Sequence, residues 1–136
     1  MKYLLDTNIC IALINGTSNL VRRRYLQVSR PGDLPGVCVV VAHELWYGVS
    51  KSNRSVENAN RLIAFLTKAV VVEEYSEPDS RAAGEIRAEL ERQGTRIGEY
   101  DTLIAGQAFA RNLILVTANT SEFSRVKGLQ VEDWTI

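Results

Sequence analysis

Residues 2–16 read KYLLDTNICIALING, and this stretch decides the fold. Tyr3–Leu5 is a short apolar run of the kind that forms a strand covered on both faces. A helix is expected directly after it, over Asn8–Ile14, with Ile9, Ala12 and Leu13 on its packed side and Asn15-Gly16 as its stop. Asp6 stands between the two, at the carboxyl end of the strand. Thr7 and Asn8 are as able to cap the helix, so Asp6 is not needed for that purpose.

The alternation repeats along the chain. Val37–Val41, Ala69–Val72 and Leu113–Thr117 read as further strands, with Leu129–Val131 as a short edge strand. Leu62, Phe65 and Leu66 mark one intervening helix, and Ala82, Ala83, Ile86 and Leu90 mark another that ends at Gly94. Tyr100, Leu103, Ile104, Gln107 and Ala108 give a third. Strands alternating with helices predict an α/β/α sandwich with a central parallel sheet and right-handed crossovers, a single domain over residues 1–136.

Composition narrows the function classes. Sixteen Lys and Arg balance sixteen Asp and Glu, so no global field announces a polyanionic partner. The apolar run Val37–Ala42 is far too short to cross a bilayer, and Asp6 interrupts the N-terminus, so a cytoplasmic chain with no membrane partner is expected. Cys10 and Cys38 lie far apart in apolar segments and suggest core positions rather than zinc ligands.

In open parallel sheets, ligands bind outside the carboxyl ends of the strands. Asp6 is one acid at such an end. Glu44, in VVVAHELWYG (39–48), is expected in the first turn of the next helix, partly buried among Val40, Val41, Leu45 and Trp46. Asp101, in RIGEYDTLIAGQA (96–108), begins a helix loosened by Gly98, while Glu99 is expected outside it and facing solvent. LILVTANTSEF (113–123) adds Thr117, Asn119 and Glu122. Each acid alone has a capping explanation, but in a parallel fold these positions converge. Crowded carboxylates repel, and a divalent cation relieves the conflict. An all-oxygen donor set, with the sole histidine, His43, read as structural or peripheral, suits Mg²⁺ or Mn²⁺ better than zinc. The matching chemistry is phosphodiester hydrolysis.

LLDTNI, HELWYG, IGEYDTLIAGQA and LVTANTSEFSRV, in that order and followed by LQVEDW, closely resemble the PIN-domain ribonucleases, specifically the VapC toxins of type II toxin–antitoxin pairs. The resemblance implies a PIN-like three-layer α/β/α sandwich, Mg²⁺- or Mn²⁺-dependent endoribonuclease activity, a VapB-type antitoxin and a homodimer. Its catalytic acids fall on Asp6, Glu44, Asp101 and Glu122, with Asp6, Asp101 and Glu44 on the metal. Many relatives place an Asp near Asn119, so the fourth ligand stays open between Asn119 and Glu122. Thr7, Asn8 and Thr117 match polar groups that orient Asp6 and its water, with Asn119 nearby. As substrate it implies RNA, namely initiator tRNA cut in the anticodon loop.

The basic run Arg22–Arg24 and the scattered Lys51, Arg54, Arg61, Arg96, Arg111, Arg125 and Lys127 are the cations available to RNA, and Trp46 and Tyr47 are possible stacking surfaces. Two rival classes are weaker. A haloacid-dehalogenase phosphatase needs a second Asp where Asn8 stands, and a receiver domain needs an acidic neighbour that Asp6 lacks. A catalytically dead binding module would hold RNA without cutting it when Mg²⁺ is added.

Overall fold

The computed structural model describes all of residues 1–136. Its elements run β1 (Tyr3–Leu5), α1 (Thr7–Asn15), α2 (Asn19–Val28), β2 (Gly36–Cys38), α3 (Val39–Lys51), α4 (Ser55–Lys68), β3 (Val71–Glu73), α5 (Glu77–Gln93), α6 (Glu99–Ala110), β4 (Ile114–Val116), α7 (Thr120–Phe123) and β5 (Val131–Glu132). The five strands form one sheet in the order β3-β2-β1-β4-β5. Every pairing is parallel, with Leu5 beside Val116 and Leu4 beside Gly36. All three residues of β1 are buried, so helices cover both faces of the central strand.

The strand order fixes where a site belongs. From β1 the chain first builds toward β2 and β3, then returns to lay β4 and β5 on the other side. The reversal therefore lies between β1 and β4, and the crevice outside their carboxyl ends is where such folds bind ligands. The residues that follow these two strands are Asp6 and Thr117. The Asp6 N–H continues the ladder to the Val116 carbonyl at 2.9 Å, and the Thr117 N–H does the same to Glu132 at 3.0 Å.

Several expected boundaries move. The apolar run Val37–Val41 is strand only as far as Cys38, because α3 begins at Val39; a continuous apolar run does not distinguish a buried strand from a buried helix. Glu44 consequently sits in the second turn of α3, beyond the reach of the first-turn dipole effect expected for it. The third and fifth strands are shifted to Val71–Glu73 and Val131–Glu132, and the fourth is trimmed to Ile114–Val116. Helix α2 escaped the apolar-periodicity reading because Val21 is its only buried residue; Ser18 starts it, accepting from the Val21 N–H at 3.2 Å.

Helices α5 and α6 pack unusually closely. A Cβ on Gly106 would stand 2.7 Å from the Ala83 backbone, so only glycine permits this approach. Beside that contact lies a buried polar clasp. Asp79 caps α5 by accepting from the Ser76 N–H (2.9 Å), accepts from Gln107 Nε2 (3.0 Å), and pairs with Arg111, which also reaches Glu73 at 2.7 Å. Burial works to raise the Asp79 carboxyl, but these donors overcome it and hold it at about 2. Tyr75 adds a hydroxyl bond to the Leu103 carbonyl at 2.7 Å. Together these contacts set the position of α6, whose first turn carries Asp101. Both cysteines are buried and free, and burial pushes their thiols up, as core residues require. No helix is long and apolar enough to cross a membrane.

Candidate metal centre

Asp6 is buried, with 8% of its surface exposed. Contrary to the sequence reading, it does occupy the N-cap of α1, in extended conformation, with Oδ1 accepting from the Thr7 N–H at 2.8 Å. Its other oxygen, Oδ2, accepts from the Thr117 hydroxyl at 2.8 Å. Capping and site duty coexist because each carboxylate oxygen retains a lone pair after one hydrogen bond.

From Asp6 a chain of hydrogen bonds runs both ways. The Thr7 hydroxyl donates to Glu44 Oε1 at 2.8 Å, so Thr7 fixes Glu44 through its side chain and Asp6 through its backbone. On the other side, Thr117 Oγ1 accepts from the Asn119 N–H at 3.0 Å, and Asn119 Nδ2 donates to Glu122 Oε2 at 3.1 Å. The two candidates for the fourth ligand, Asn119 and Glu122, are thus bonded to each other. Asn8 does not join: it is exposed on α1, and no side-chain hydrogen bond links it to Asp6. The expected orienting role of Asn8 toward Asp6 therefore has no hydrogen bond behind it.

Asp101 faces this chain from α6. It is the third residue of the helix, half-buried, and no side chain or backbone N–H donates to its carboxyl. Gly98 is the N-cap, and a Cβ at that position would make ordinary van der Waals contact with Asp101 Oδ2 at 3.5 Å. Burial first, and then the negative charges of Asp6, Glu122 and Glu44, raise the Asp101 carboxyl to about 6. The same four acids picked out in sequence are therefore brought to one crevice. Glu99 is exposed as expected, although it opens the helix rather than preceding it.

The donor set is oxygen only. The four carboxylates face one another without closing into a cage, for nowhere do three His, Cys, Asp or Glu side chains stand near enough to hold an ion jointly. A hard ion of the Mg²⁺ type takes one or two carboxylates directly and keeps several waters, so it does not require three acids in contact.

The basic residues serve varied ends. Arg24 packs over Tyr3 and Trp134, at 5.8 and 6.0 Å, and reaches Glu132. Arg61 bonds the Ile14 carbonyl and Asn15, Arg125 bonds the Arg96 carbonyl, and Arg111 belongs to the Asp79 clasp. None of these is placed as a phosphate contact by its bonding. Sequence reasoning missed the clasp, although Ser76-Glu-Pro-Asp79 carries the capping-box spacing that signals it.

Comparisons with known proteins identify the family. The family model for the PIN domain matches residues 3–129. The chain is 41% identical to the tRNA(fMet)-specific endonuclease VapC of Shigella flexneri, with 99% of each chain covered. It superposes on VapBC2 from Rickettsia felis, solved bound to a DNA fragment from their promoter, with TM-score 0.89, 37% identity, and 98% of this chain and 99% of that one covered. DNA-bound VapBC from Salmonella typhimurium gives TM-score 0.89 and 38% identity, with 98% of each chain covered. The chain belongs to the PIN-domain family, and within that family to the VapC proteins.

Proposed function

We propose that the chain is an endoribonuclease that hydrolyses RNA phosphodiester bonds with a bound Mg²⁺, or Mn²⁺ in its place, and that it acts as the toxin of a pair held inactive by a VapB-type antitoxin. The observation that carries this reading is the Asp101 carboxyl, which has no protein donor and faces three further acids across the crevice. A fold gains nothing by gathering four carboxylates unless a cation joins them.

In this reading Asp6 and Asp101 hold the ion; Glu44, expected on the metal, is placed with Glu122 at its periphery, because no three acids stand near enough to hold an ion jointly. When bound, the ion polarises the phosphoryl group and lowers the pKa of a bound water. The protein's own part is positioning. Thr117 and the Thr7 N–H fix both oxygens of Asp6, and each oxygen keeps a lone pair for the ion. Thr7 occupies Oε1 of Glu44 and leaves Oε2 to orient a water and receive its proton. Asn119 does the same for Glu122, occupying Oε2 and leaving Oε1.

The VapC relationship supports initiator tRNA as substrate, because the Shigella flexneri relative is named for tRNA(fMet); a cut in the anticodon loop is what the family resemblance implies. The apolar groove between α1, α3 and α4, lined by Ile11, Leu45, Val49 and Leu62 and opening beside Glu44, offers the antitoxin a surface from which to cover the site. A homodimer is the assembly expected from the same relationship. Sequencing RNA 5′ ends after brief induction tests activity and target together. Wild type is expected to yield one dominant new end and Asp6→Ala none; wild-type cutting by Asp6→Ala would refute the mechanism.

A further inference from the structure

Two exposed ring side chains, each next in sequence to one of the four acids, have no part in the chemistry above. His43 precedes Glu44 on α3, and Tyr100 precedes Asp101 on α6, so each ring neighbours one of the four acids along the chain. The rings meet edge to face across the two helices, with centroids 5.5 Å apart and planes at 77°. Tyr100 Oη lies 3.5 Å from His43 Nε2. Both are exposed, and Tyr100 keeps 49% of its surface in water.

A pair that served only the fold would bury its apolar faces. Nor does α6 need it as an anchor, being held already by the Tyr75 hydroxyl, by Gly106 against Ala83, and by Arg111 at its carboxyl end. The same side of α3 continues to Tyr47 and Lys51 at successive intervals of four residues, and the Lys51 ammonium sits 4.9 Å from the Tyr47 ring centroid. Exposed rings followed by a cation, leading away from an acidic crevice, are the combination that holds single-stranded nucleic acid by stacking and by phosphate attraction.

Resting on the ribonuclease reading above, we infer that the His43–Tyr100 pair is a stacking platform for an unpaired base beside the phosphodiester to be cut, and that it selects looped over helical RNA. A base within a duplex keeps both faces in its own stack, whereas a loop base offers one to the protein.

The test compares wild type with His43→Ala, Tyr100→Leu, Tyr100→Phe and the double variant His43→Ala/Tyr100→Leu, on a stem-loop RNA in Mg²⁺. Each ring removal is expected to raise KM about tenfold, equivalent to about 1.4 kcal/mol, with kcat near wild type. Tyr100→Phe keeps the ring and stays near wild type. The double variant loses little more than either single one, because one stacked base is lost only once. In a cleavage-dead Asp6→Asn background, 2-aminopurine beside the cut site is quenched on binding, and less so without the rings.

An unchanged KM in variants that still cut RNA overturns the platform and leaves the ribonuclease reading standing. So does a Tyr100→Phe defect equal to that of Tyr100→Leu, which would assign the role to the hydroxyl. A change confined to antitoxin inhibition or to oligomeric state makes the pair a protein contact and overturns it as well. Wild-type protein that cuts no RNA overturns both readings.

Discussion

Asp101→Asn is expected to make the metal-free protein more stable while abolishing its cleavage of RNA. The Asp101 carboxyl is raised from 3.8 to about 6, by burial and by its acidic neighbours. At about 1.36 kcal/mol per pKa unit this is nearly 3 kcal/mol, which solvent screening of a half-exposed group reduces to roughly 1–2 kcal/mol. Removing a first-turn acid forfeits about 0.5 kcal/mol of helix-dipole stabilisation. The net gain is then about 1 kcal/mol, a rise of roughly 3–5 °C in Tm for a chain of this size. Its pH dependence has a definite sign. Between about pH 4 and 6 the folded state holds a proton that the unfolded state has released, so this group's stabilising contribution is complete below about pH 4 and lost as pH rises through 6. Wild type and variant should therefore melt alike near pH 4 in EDTA and separate above pH 6, with the variant higher. Mg²⁺ should close the gap by raising the wild type alone. A variant that melts lower than wild type at every pH would show Asp101 to be a capping acid and refute the reasoning.

Thr117→Val removes the hydroxyl that serves both Asp6 and the Asn119 N–H, and should cost about 1–3 kcal/mol of stability in urea unfolding, with kcat for RNA cleavage reduced about tenfold. Arg111→Met leaves the buried Asp79 without its charge partner and should destabilise by about 3 kcal/mol. Because Asp79 is held down at about 2, its contribution is present above about pH 4 and lost as pH falls toward 2, so the variant's deficit in thermal melts should shrink in acid. Asp6→Ala should retain a cooperative melt while losing cleavage, since the helix keeps all but its cap.

The parts of the structure legible in sequence are those with a local cause. Tyr3–Leu5 followed by Asp6 and a periodic helix specifies a strand end and a helix start, and four such junctions imply a parallel sheet and a shared crevice. The all-apolar stretch Val37–Ala42 carries no such punctuation, so the change from strand to helix at Val39 is decided by pairing of Cys38 with Glu73 and by packing on α3. Helix α2 rests on Ser18 and one buried valine, and its arginines obscured it. Which oxygen each threonine holds is a matter of three-dimensional register: Thr7 serves Glu44, 37 residues away, and Thr117 serves Asp6, 111 residues away. Asn8 resembles its neighbours in chemistry and differs only in the direction that helical geometry gives it. The meeting of His43 with Tyr100 depends on the crossing of α3 and α6, which no spacing along the chain encodes.

The shared cation is tested most directly by the rate of stem-loop RNA cleavage as free Mg²⁺ is raised from zero in EDTA, for wild type and Asp101→Asn. Wild type is predicted to be inert in EDTA and to gain activity saturably with Mg²⁺ or Mn²⁺, while the variant stays inert throughout. Full-rate cleavage in EDTA, or a wild-type metal response from Asp101→Asn, would contradict a mechanism in which these carboxylates work by holding an ion.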